Sequence, residues 1–61
     1  MTQAWTSRYP GKWIAAYQQR PSPYWTMALN ALGKPILCDS EELAHSVAAY
    51  RLRRLQPLVT N

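Results

Sequence analysis

Phenylalanine is absent from this chain of 61 residues, and cysteine and histidine occur once each. A single cysteine, Cys38, excludes an internal disulfide framework. Paired only with His45, it also falls short of a self-contained structural zinc site, which takes about four ligands. Two glycines, Gly11 and Gly33, provide no Gly-rich phosphate loop. No apolar run approaches the roughly 20 residues that span a bilayer. Met1 to Pro10 holds no apolar stretch of the kind a secretory signal needs, so the expected location is cytoplasmic, with no membrane partner. The length allows one domain with one small core.

Acidic residues are nearly as scarce. The three present, Asp39, Glu41 and Glu42, fall within one four-residue step, against seven Lys or Arg and a net charge of +4. Met1 to Cys38 carries Arg8, Lys12, Arg20 and Lys34 and no carboxylate. Arg51, Arg53 and Arg54 follow the acids. If the acids are consumed by one helix start, the rest of the surface is more basic than the net value suggests. That layout favours an anionic partner.

What the chain does have is aromatic bulk: three Trp and four Tyr. Each such ring buries roughly 150–250 Å², one way for a short chain to close a core. Disordered segments are poor in these residues, so a folded domain is expected.

Asp39-Ser40-Glu41-Glu42 reads as a helix start, with Asp39 or Ser40 as cap and Glu42 placed as in a capping box. Acids in the first turn and arginines in the last suit the helix macrodipole. Leu43, Ala44, Val47, Ala48, Leu52 and Leu55 share one side of the wheel. The spacing predicts a helix over 40–55, ended by Pro57, with Arg51 snorkelling over the core edge.

Residues 11–38 support two readings. Trp25, Ala28, Leu29 and Leu32 have helical spacing, with Ser22-Pro23 as a start and Gly33 as a stop. That gives an all-α three-helix bundle. Alternatively, Trp13, Ala15 and Tyr17 alternate with Lys12, Ile14, Ala16 and Gln18. Trp25, Met27 and Leu29 alternate with Tyr24, Thr26, Ala28 and Asn30. Ile36-Leu37-Cys38 is a short apolar run that needs a pairing partner. The preferred reading is α+β: a small three-stranded antiparallel sheet packed on one C-terminal helix. Residues 1–10 and 57–61 read as tails of this single domain, with Trp5 and Tyr9 free to fold back.

In the sheet reading, Trp13, Ala15, Tyr17, Trp25, Met27 and Leu29 face the helix through Leu43, Val47 and Ala48. The other face then carries Lys12, Gln18, Arg20, Tyr24, Thr26, Asn30 and Lys34, open and basic. A three-stranded sheet with such a face, backed by one helix, resembles over residues 11–55 the architecture of AP2-type plant domains and of the amino-terminal domains of some phage-type integrases. The resemblance is one of architecture, with no signature residues shared. It implies a sheet laid into the DNA major groove. The residues themselves provide cations for phosphate, and Gln18, Asn30 or Arg20 for base edges. Arg51, Arg53 and Arg54 are a second candidate for phosphate or an acidic surface, unless they only complement the helix end.

Catalysis has little support. Cys38 reads as a small buried hydrophobe, His45 as a surface residue, and no nucleophile-base-acid arrangement follows from one His. No cofactor or metal is expected. Two functions remain. One is a small, non-enzymatic nucleic-acid-binding accessory protein of the kind found on phages and mobile elements. The other is an interaction module or inhibitor docking on an acidic surface of a larger host protein or nuclease complex. A homodimer is compatible with either.

Overall fold

The computed structural model describes residues 1–55. The expected tail at 57–61, with Pro57, lies outside the described residues. The architecture is α+β, an antiparallel sheet packed on one C-terminal helix, and not an all-α bundle.

The sheet is larger than the sequence suggests, because residues 1–10 are not a tail. Thr2–Thr6 forms strand β1 and pairs along the whole of β2, Trp13–Tyr17, from Thr2 opposite Tyr17 to Thr6 opposite Trp13. The physical reason is that β2 is central, and a central strand needs partners on both edges. Pro10-Gly11 makes the return possible. Gly11 has φ +76°, open to glycine at little cost, and the Lys12 amide donates to the Tyr9 carbonyl at 3.1 Å.

Two short strands share the other edge of β2. Strand β3, Thr26–Met27, pairs with Ala16 and Tyr17, and β4, Leu37–Cys38, pairs with Trp13 and Ile14. Between them the chain leaves as a hairpin, closed at its base by the Leu29–Pro35 bridge. Asn30 and Lys34 are bonded across it, and Gly33, at φ +79°, turns the tip.

Helix α1 spans Glu41–Leu55. Ser40 is its cap: the Ser40 hydroxyl accepts from the Leu43 amide at 3.0 Å. Asp39, the other candidate cap, is ion-paired with Lys12 instead. Glu42 is therefore the second helical residue, one short of the capping-box position.

The helix meets the sheet through small side chains. Ala15, Ala28, Ala44, Ala48 and Cys38 form the buried cluster, with Ala4, Trp13, Tyr17, Ile36 and Val47 packed around it. Among the described residues, Cys38 is the largest fully buried side chain. This explains two corrections to the expected faces. The first is the phase of β3. The Ala28 amide donates to the Ala15 carbonyl, and Met27 stands opposite Ala16. Ala28 therefore faces the helix and Met27 faces away, because a one-residue shift exchanges the faces of a strand. The close helix–sheet contact accepts an alanine at that level, and the larger Met27 and Leu29 remain 39% and 40% exposed. The second is the helix stripe. Ala44 and Ala48 are buried, Val47 and Leu52 half-buried, and Leu43 and Leu55 exposed.

Candidate interaction face and its groove

The far side of the sheet is where the structure departs most from the expected polar surface. Alternation puts Trp5, Ile14, Ala16, Met27 and Leu37 there, with Trp5 opposite Ile14, Ile14 opposite Leu37, and Ala16 opposite Met27. Trp25, two residues before Met27, meets Trp5 with ring centroids 6.4 Å apart and planes tilted by 59°. A tilted pair of this kind contributes about 0.5–1.5 kcal/mol beyond its area. In register, Ala16 lies between the two rings, which accounts for its complete burial on a face the helix does not cover. The Trp5 indole N–H donates to Gln3 Oε1 at 2.8 Å. Trp5 thus folds back onto the body, and Trp25 packs on the face opposite the helix.

A groove of about 780 Å³ opens at the end of this face where β2 begins. Ile14, Leu37 and Pro35 supply its apolar surface. Thr6, Ser7, Arg8 and Tyr9 line one side, from the end of β1 and the β1–β2 loop. Asn30 and Lys34 line the other, from the 29–35 hairpin. No carboxylate is among these residues. Both loops are ordered by local bonds. The Ser7 hydroxyl donates to the Tyr9 carbonyl at 2.8 Å and accepts from the Tyr9 amide at 3.0 Å. Asn30 Oδ1 accepts from the Leu32 and Lys34 amides at 2.9 and 3.1 Å, an Asx-type turn.

The residues expected on one basic face are dispersed. Lys12 lies at the far-face edge, neutralised by Asp39. Gln18 is half-buried, and its backbone exchanges hydrogen bonds with Met1. Arg20 is exposed in the β2–β3 loop, as is Tyr24 at 77%. Thr26 stands opposite Tyr17 and so shares its helix-side face. Asn30 organises a turn, and only Lys34 joins it at the groove. At the helix end, Arg51 Nη2 donates to the Leu29 carbonyl at 3.0 Å, tying the helix to the hairpin base. Arg54 donates to the Tyr50 hydroxyl and lies over its ring at 5.8 Å. Arg53 is exposed, with no ion pair among the described residues.

Sequence reasoning missed Arg8 and Tyr9 as a groove wall, because it placed them in a tail. The Pro10-Gly11 turn was the signal that could have found them.

Cys38 is buried, and burial followed by the charge of Asp39 pushes its thiol above the ordinary value. That disfavours the reactive thiolate. His45 Nδ1 is bonded to the Thr2 hydroxyl at 2.9 Å. Among the described residues, no three His, Cys, Asp or Glu side chains are grouped to hold a metal ion. No helix among them is long and apolar enough to cross a membrane.

Compared with protein-family models, curated proteins and solved structures, the chain matches none.

Proposed function

We propose that this chain is a non-enzymatic interaction module that docks on a larger protein through the helix-distal face of its sheet. The observation that carries the reading is the apolar character of that face, with Arg8 and Lys34 at its groove and no carboxylate there. Trp5, Ile14, Trp25, Met27 and Leu37 form a contiguous surface of the type found at interface centres, with cations at the rim. The complementary partner presents an apolar patch bordered by Asp or Glu. Capture by the immobilised chain after nuclease treatment tests this. A stoichiometric protein bound by the wild type and lost with Leu37→Asp supports it. Loss of every partner on nuclease treatment, or equal capture by the variant, refutes it.

Nucleic-acid binding is a second reading, favoured by the convergence of Arg8, Tyr9 and Lys34 on one groove. With the polar sheet face gone, its natural form is single-strand binding by stacking and phosphate contact rather than duplex readout. It predicts oligonucleotide binding at low salt that weakens steeply as salt rises. No shift with any single strand at low salt refutes it.

A further inference from the structure

Strand β1 is an outer strand of the sheet. Its inner edge is fully engaged. The Met1 nitrogen donates to the Gln18 carbonyl at 3.2 Å, the Gln18 amide to the Met1 carbonyl at 2.9 Å, and the Ser7 amide to the Lys12 carbonyl at 3.1 Å. Antiparallel bonding alternates along a strand. The odd-numbered residues of β1 therefore bond inward to β2, while Thr2, Ala4 and Thr6 aim their N–H and C=O groups outward. No strand among the described residues receives them.

Folded proteins guard such edges with lysine, proline, a bulge or a covering segment. This edge lacks the first three: Thr2–Thr6 holds no charge and no proline, and its five-residue register is unbroken. The helix packs on the face of β1, where His45 bonds to the Thr2 hydroxyl, and no backbone group among the described residues bonds the outer edge.

We propose that a second copy of the chain occupies this edge, with the two β1 strands antiparallel about a two-fold axis at Ala4, so that two sheets become one. The strand is self-complementary in that arrangement. Thr2 stands opposite the partner's Thr6, a cross-strand pairing that sheets favour. Ala4 meets the partner's Ala4, and Gln3 meets the partner's Trp5 on the far face. The outward groups exchange about six backbone hydrogen bonds. No charge lies on either strand, so the +4 of each copy is not concentrated at the seam, and salt screens what repulsion remains. A chain whose fully buried side chains, among the described residues, are no larger than cysteine also gains most from added burial. This surface is the edge of the sheet and adjoins the face argued above at Trp5 and Thr6.

Sedimentation equilibrium of the full chain from about 10 µM to about 1 mM, with amide exchange at both ends of that range, tests the proposal; the upper limit suits an interface of the weak size class. The expected mass rises from one copy to two. The Ala4 and Thr6 amides slow as it rises, while those of Gln3 and Trp5 are protected throughout. The double variant Gln3→Lys, Thr6→Lys alters two exposed positions and stays at the mass of one copy. A wild-type mass of one copy at the highest concentration overturns the proposal. So does a dimer whose Ala4 and Thr6 amides remain unprotected, or a folded lysine variant that still dimerises. If that variant does not fold, the wild-type exchange pattern decides alone.

Discussion

Replacing Ala48 by leucine separates two accounts of how the helix is held. Ala48 is fully buried and packs in one cluster with Ala15, Ala28, Ala44 and Cys38. Counted only as apolar transfer, three added carbons at about 0.8 kcal/mol each contribute roughly 2.4 kcal/mol of stability. Counted as packing, they enter a contact built for methyl groups and force the helix off the sheet. Overpacking of this kind costs about 1–3 kcal/mol. The two accounts differ in sign. A chain of this length has about 3–9 kcal/mol of stability in all, so the loss is large. At 2 kcal/mol the thermal midpoint falls by roughly 8–16 °C. Urea titration followed by tryptophan fluorescence, at low protein concentration, reads the change. Ala49→Leu, at the exposed neighbouring position, is the control and stays within about 0.5 kcal/mol of wild type. An Ala48→Leu protein as stable as the wild type, or more so, refutes the close alanine contact.

Further outcomes follow from other contacts. Ser40→Ala removes the bond to the Leu43 amide and lowers stability by about 1 kcal/mol in urea titration, whereas Asp39→Ala, which breaks an exposed ion pair, costs no more than about 1 and leaves the helix cap intact. Arg51→Ala frees the Leu29 carbonyl and costs about 1 kcal/mol, while Arg53→Ala is neutral to within about 0.5, measured the same way. The Cys38 thiol is raised in the folded state by burial and then by Asp39, so the folded chain holds that proton more tightly than the unfolded one. Its contribution is therefore complete at neutral pH and lost as pH climbs through the raised value. Cys38→Ala flattens that alkaline decline, and native Cys38 reacts with iodoacetamide far more slowly than in urea.

The helix was legible because its signals are local. Ser40, Glu41, Glu42, Arg53 and Arg54 each act on their own turn, and the expected 40–55 differs from the observed Glu41–Leu55 only in that Ser40 is the cap. Strand β2 was legible from its alternation. Strand β1 was not, since Thr2-Gln3-Ala4-Trp5-Thr6 is weakly apolar and its strand character comes from a partner beyond the Pro10-Gly11 turn. The face of β3 was hidden for a different reason. Trp25, Met27 and Leu29 are the more apolar parity of 25–29, so hydrophobicity turned that set toward the helix, whereas the close contact admits only the small Ala28. The candidate site inherits both difficulties: the Arg8–Tyr9 wall depends on β1, and the exposure of Met27 depends on that phase.

The hairpin between β3 and β4 has a consequence for how such a chain can change over generations. Its departure from the sheet is closed by the Leu29–Pro35 bridge and by bonds within the turn. The pairings of Met27 and Cys38 with β2 lie outside that closure. Substitutions, or an insertion at the tip near Leu32, therefore leave the register of the sheet in place, and lengthening a loop costs little in closure entropy. Yet Asn30 and Lys34 on this hairpin form one wall of the groove. Substitution of the exposed Lys34 side chain can change the charge of the groove with small risk to folding, whereas the alanines beneath the helix leave almost no room to drift.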